Sequence, residues 1–120
     1  MKPAHAVKHT PGRMNKTEAR YADRLAILKA AGEIEEWWFE PMAFRLGVRF
    51  TYRPDFLVQY PDGTLEFVEV KAWWRGAGRV GWREDARSKW KGAAEMWPIF
   101  RWKATWERNG SWEEEVYGGA

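Results

Sequence analysis

The chain contains no cysteine, which excludes a disulfide scaffold, thiolate zinc sites and a cysteine nucleophile. Histidine is nearly absent too: His5 and His9, both close to the N-terminus, leave little for histidine-based catalysis or metal binding. Long apolar runs are missing. None approaches the ~18 residues that a membrane span needs, and the N-terminus lacks the apolar stretch of a signal peptide. A soluble intracellular protein with no membrane partner is the resulting expectation. Nor does one sign of charge dominate. Lys and Arg number 20 against 17 Asp and Glu, a net +3. That excess is too small to diagnose a polyanion partner, so the distribution of charge must decide.

What is present is enough for a core. The 120 residues fit one domain, and with 45% apolar and 31% charged residues the composition is that of a folded chain. Ten tryptophans stand out, at 37, 38, 73, 74, 82, 90, 97, 102, 106 and 112. Bulky side chains filling a small core account for most of them. A base-stacking surface or a protein interface is the alternative use.

Residues 1–14 carry three basic residues, Pro3, Pro11 and Gly12, and no acid. They read as a mobile basic arm before a single domain over 15–120. A helix follows, capped by Asn15 or Thr17 and ended by Gly32, with Tyr21, Ala22, Leu25 and Leu28 on one face. Strand character appears around Trp37–Phe39 and again near Ala43–Leu46. Phe50–Tyr60 and Leu65–Ala72, separated by a Pro-Asp-Gly-Thr turn, read as a hairpin. Residues 73–81 hold three glycines and two arginines and read as a loop. Trp82–Trp97 reads as a second helix, closed by Pro98. Ile99–Trp106 is a strand, Asn109-Gly110 a tight turn, and Trp112–Tyr117 a last strand or tail. The order of helix, strands, helix, then strand or hairpin means the fold class α/β (α+β), a sheet with helices covering it.

The hairpin holds the unusual charges. Asp55 lies in the apolar run PDFLV, and Glu69 and Lys71 interrupt FVEVKA, emerging together on one face of their strand. Where Asp55 points depends on the turn. A two-residue loop sets Asp55 and Glu69 on opposite faces. A three-residue loop, Pro61-Asp62-Gly63, suits the residue types better and sets Asp55 directly opposite Glu69. Facing carboxylates destabilise a sheet unless something offsets them. A divalent cation would do so, and oxygen ligands with few histidines favour Mg²⁺ or Mn²⁺ over zinc. An ordinary cross-strand ion pair, with Arg53 opposite Lys71, accounts for the same residues without a metal. Glu18 heads the apolar stripe of the first helix, so it can face the sheet as a third acid. It also completes a capping box with Asn15, and the two roles are compatible.

Pro54-Asp55, thirteen intervening residues, then Glu69-Val70-Lys71, preceded by an acid-bearing helix at Asn15–Glu18, resemble the PD-(D/E)XK nuclease superfamily. The resemblance covers roughly residues 15–103. The chain is similar to small phage and prophage endonucleases, including a domain-of-unknown-function group, and resembles phage junction-resolving enzymes and transposon end-cleaving nucleases. The resemblance implies a restriction-endonuclease-like core, a central mixed β-sheet flanked by two helices in the order α-β-β-β-α-β. It also implies metal-dependent hydrolysis of DNA phosphodiester bonds, duplex or branched, in the cytoplasm of a bacterial host. Asp55 and Glu69 would bind one or two Mg²⁺ (or Mn²⁺) ions with the Val70 carbonyl. Lys71 would orient water and stabilise charge on the phosphate, and Glu18 would be a further metal or water ligand. Many relatives follow the lysine with glycine; here Ala72 and then Trp73-Trp74 stand there.

Charge distribution agrees with such a substrate. Residues 72–103 hold eight basic groups against three acids, whereas Glu107–Glu115 holds four acids and one arginine. Arg83, Arg87 and Lys91 share a helical face, and Trp73, Trp74, Arg75 and Arg79 precede them, giving the expected DNA-engaging segment; a solvated helix surface is the plain alternative. A homodimer is compatible with this reading. A non-catalytic nucleic-acid-binding module of the same fold, or a protein-interaction domain built on the tryptophans, are the competing functions.

Overall fold

A computed structural model describes residues 12–118; the basic arm expected over 1–14 lies largely outside the described residues. The first helix, α1 (Lys16–Ala30), starts where expected. The Asn15 side chain accepts from the Glu18 N–H at 2.8 Å, and Glu18 Oε1 accepts from the Asn15 N–H at 2.9 Å, a complete capping box. Gly32, at φ +77°, turns the chain away after the C-cap.

Five strands form the central sheet, in the order β1-β4-β5-β8-β9: β1 (Glu36–Phe39), β4 (Phe56–Gln59), β5 (Leu65–Lys71), β8 (Arg101–Arg108) and β9 (Ser111–Val116). All neighbours are antiparallel except β5 and β8, which run parallel and are joined by a crossover through α2 (Ala86–Met96). Two small two-stranded sheets stand apart: β2 (Phe44–Gly47) with β3 (Phe50–Tyr52), and β6 (Trp73–Trp74) with β7 (Arg79–Val80). Without those sheets and β9, the order is α-β-β-β-α-β, a mixed α+β arrangement with two helices.

Alternation along the strands sorts the core into two halves. Phe56, Val58, Val68 and Val70 pack with Tyr21, Ala22 and Leu25 of α1. Leu57, Phe67, Trp102 and Ala104 pack with Trp90, Ala93 and Ala94 of α2, joined by Phe44 and Tyr52. Phe67 and Trp102 stack at 4.9 Å, and Trp90 and Trp102 are almost fully buried. Most tryptophans thus serve packing, as their bulk suggested.

Three boundaries differ from the sequence reading, each for a local reason. Phe50–Tyr60 is not one strand. Arg53-Pro54-Asp55 breaks it, because proline has no N–H for a ladder and fixes its own φ. β3 accordingly pairs with β2, and only β4 enters the central sheet. Residues 73–81 are not a plain loop but contain the β6–β7 hairpin. The second helix begins at Ala86 rather than Trp82, because Glu84 sits at φ +43°, which no right-handed helix accommodates. At the chain's end Asn109 and Gly110, at φ +51° and +78°, form the tight turn expected of them.

Candidate functional site

The turn between β4 and β5 is the three-residue one. The Tyr60 N–H donates to the Thr64 carbonyl at 2.9 Å, and Gln59 pairs with Leu65. Continuing that register beyond Phe56–Val68 sets Asp55 opposite Glu69, on one face as the residue types required. Asp55 has only 8% of its surface exposed and Glu69 7%. Buried carboxylates need donors, and these have them. Asp55 Oδ2 accepts from the Val70 N–H at 2.7 Å. Glu69 Oε1 accepts from the Tyr52 hydroxyl at 2.6 Å, and Glu69 Oε2 lies 3.0 Å from the Lys71 ammonium.

The N-terminus of α1 closes the same end of the sheet. Glu18, 5% exposed, joins Asp55, Glu69, Val70 and Lys71 in lining a cavity of about 380 Å³, with Asn15, Glu40 and Arg53 at its rim. Four acids, Asp55, Glu69, Glu18 and Glu40, therefore line the cavity with Lys71 and Arg53. Burial pushes the Asp55 carboxyl well above the usual carboxylate range, and the charges of Glu69 and Glu18 push it further the same way. The Val70 N–H and Lys71 only partly oppose this. Burial alone would lower the Lys71 pKa, but Glu69, Asp55 and Glu18 together outweigh it and raise it. Lys71 is thus a cation in this cavity, and its ammonium also lies 5.2 Å from the centre of the Trp82 ring.

No protein-family model matches the chain, and neither a curated protein nor a solved structure does. Among the described residues no three His, Asp or Glu side chains are already gathered as a cage for a metal. The carboxylates instead hold protein donors: the Val70 N–H on Asp55, the Tyr52 hydroxyl and Lys71 ammonium on Glu69, and the Asn15 N–H on Glu18. Their chemistry nevertheless fits a hard cation: all are oxygen ligands, in negative excess, and Asp55 is penalised for its charge by its neighbours. Asp55, Glu69 and Glu18, with the Val70 carbonyl, are the groups that could hold one.

Two residues at this site escaped the sequence reading. Tyr52 is three positions from Asp55, so in an unbroken strand it would face the other way. The break at Pro54 lets both reach Glu69. Glu40 sits at φ +47°, where its N–H donates to the Asp55 carbonyl at 2.8 Å. Only the Glu-Pro step after an aromatic strand hinted at it.

Of the expected DNA-engaging residues, Trp74, Arg79 and Arg83 line one cavity together with Trp82. Arg75 and Arg79 are exposed on the β6–β7 hairpin. Trp73 packs under Arg108, 4.4 Å from ring centre to guanidinium, while Trp74 meets Arg79 at 4.9 Å and Arg83 at 5.5 Å. Gly81 touches the Trp74 indole so closely that no side chain fits there. Arg83 precedes the helix rather than sharing a face with Arg87 and Lys91. Arg87 is held by Glu115 through two hydrogen bonds of 2.7 and 2.6 Å, and Lys91 lies 5.5 Å from the Tyr117 ring centre. The cause is β9. Its antiparallel pairing with β8 brings the acidic end across, so that Glu114 reaches Lys103 and Glu113 reaches Arg108. Among the described residues no helix is long and apolar enough to cross a membrane.

Proposed function

We propose that this protein is a metal-dependent endonuclease of the PD-(D/E)XK kind, with a restriction-endonuclease-like core, acting on duplex or branched DNA. One observation carries the reading: Asp55, Glu69, Lys71 and Glu18 converge on a single cavity where β5 ends and α1 begins. The α-β-β-β-α-β order around that cavity is the arrangement the resemblance implies.

Asp55, Glu69 and Glu18, with the Val70 carbonyl, would hold Mg²⁺ or Mn²⁺. When bound, the cation supplies Lewis acidity, making water more nucleophilic at neutral pH and offsetting charge that develops on the phosphate. Lys71, kept protonated by its acidic neighbours, is suited to orienting water and stabilising the phosphate oxygens; it is a poor general base. Tyr52 is a positioning residue, because its hydroxyl fixes one oxygen of Glu69.

The test is cleavage of supercoiled plasmid and of a four-way junction, side by side, with Mg²⁺, Mn²⁺ or EDTA. Metal-dependent cutting that disappears in Asp55→Ala supports the reading. Binding without cutting makes the chain a nucleic-acid-binding module, and neither binding nor cutting makes it a protein-interaction domain.

A further inference from the structure

The β2–β3 hairpin carries an unusual surface. Residues 41–54 contain Arg45, Arg49 and Arg53 and no acid, in a chain with 17 acids. At the tip, Val48 is 85% and Phe50 56% exposed. Isolated apolar side chains on a surface need no explanation, but two at one basic tip do. The hairpin is also firmly mounted. The Phe44 ring lies 4.7 Å from that of Trp97 and 5.3 Å from that of Trp102, and Tyr52 is tied to Glu69. Arg45 folds beneath the tip and donates to the carbonyls of Gly47 and Val48, at 3.4 and 3.2 Å.

Its direction matters. Phe44 meets the C-terminal end of α2 at Trp97, whereas Leu46 meets it further back, at Gly92. The tip therefore advances toward the N-terminal half of α2. That half follows Trp82, whose ring centre lies 5.2 Å from the Lys71 ammonium, so the tip advances along α2 toward the helix end nearer the acidic cavity.

We infer that this hairpin is a DNA wedge: Val48 and Phe50 press between base pairs of the nucleic acid held at the cavity, while Arg49 and Arg53 take flanking phosphates. The inference rests on the nuclease reading for its substrate. The chemistry is that of an apolar wedge flanked by arginines, which unstacks a base step and bends the duplex. A protein partner would have to complement three arginines with acids of its own, whereas a polyanion does so along its whole length. The preferred substrate is then DNA that unstacks easily, such as a mismatched, bulged or branched duplex.

The experiment uses the full chain, Ca²⁺ in place of Mg²⁺, and duplexes carrying 2-aminopurine beside a mismatch. The parent is expected to raise the fluorescence about threefold on binding, and V48S/F50S to lose most of that rise while remaining folded by circular dichroism. In Mg²⁺, the same variant should favour an already open junction over intact duplex by about tenfold more than the parent. A parent that binds without a fluorescence rise, or a variant that keeps the full rise, overturns the wedge. So does a parent whose self-association is lost in V48S/F50S with the fluorescence unchanged, because the tip is then a contact between copies. A rise without cleavage in Mg²⁺ or Mn²⁺ supports the wedge and sinks the nuclease reading; cleavage without a rise does the reverse.

Discussion

The Tyr52 hydroxyl donates to Glu69 Oε1 at 2.6 Å, joining the small β2–β3 sheet to the acidic end of the central one. Burial, and then the charge and hydrogen bond of Glu69, raise the Tyr52 pKa well above the ordinary phenol value, so the phenol stays a donor across any working pH. Tyr52→Phe removes the donor and leaves the ring. Folding stability should fall by about 1.5–3 kcal/mol, typical of a hydrogen bond to a charged acceptor. If Tyr52 positions Glu69, the Mg²⁺ concentration for half-maximal cleavage should also rise. Chemical denaturation and a metal titration measure the two effects separately, and an unmoved titration would make Tyr52 a purely structural anchor.

Burial, and then the charges of Glu69 and Glu18, penalise the Asp55 carboxylate. Asp55→Asn keeps an oxygen for the Val70 N–H and removes one of the cavity's negative charges. Cleavage should be lost. In EDTA the variant should melt at the same temperature as the parent or higher, since like-charge repulsion is relieved. Mg²⁺ should raise the melting temperature of the parent and not that of the variant. Glu69→Ala should likewise abolish cleavage. Full activity in either variant would remove the catalytic assignment.

How far the sequence reached can be seen in these same residues. The Pro61-Asp62-Gly63 turn is local chemistry, and it settled the register that sets Asp55 against Glu69. Asn15 and Glu18 are likewise local, and their capping box formed as read. Tyr52 was not legible, because its position depends on a strand break whose far side joins a different sheet. The ion pair of Arg87 was not legible for a related reason: its partner Glu115 is 28 residues away, and only the β8–β9 pairing brings it near. Periodicity reports which face a residue takes within an element, not which distant charge waits there.

That pairing changes which basic residues can meet a phosphate. Arg75, Arg79 and Arg83 are exposed, whereas Arg87 is engaged. Neutralising Arg75, Arg79 and Arg83 together should weaken DNA binding and lower the steepness of its salt dependence, by about one per lost phosphate contact. Arg87→Ala should leave that slope unchanged. Binding measured over a salt series in Ca²⁺ separates the two, and a parental slope in the triple variant would put the DNA elsewhere. Gly81→Ala should act with the triple variant, because the added methyl would displace the Trp74 indole from Arg79 and Arg83.

The Arg87–Glu115 pair predicts an acid-sensitive contact between α2 and the edge strand β9. The hydrogen bonds from Arg87 hold the Glu115 carboxyl below its ordinary value of 4.5, with partial burial opposing them. A carboxylate lowered in the folded state stabilises the fold fully above its unfolded pKa, and the contribution disappears as the pH falls through the folded value. The loss therefore belongs below about pH 4.5, the range in which an unfolded glutamate takes up its proton. Glu115→Gln should lower the melting temperature at pH 7 by a small amount, since both partners are about a third exposed. Between pH 5 and 3 its melting temperature should fall less steeply than that of the parent, and at the acid end the two curves should converge. Thermal melts across that range test the point directly. Parallel curves would mean that Glu115 titrates as it does in the unfolded chain and that the pair contributes no acid sensitivity.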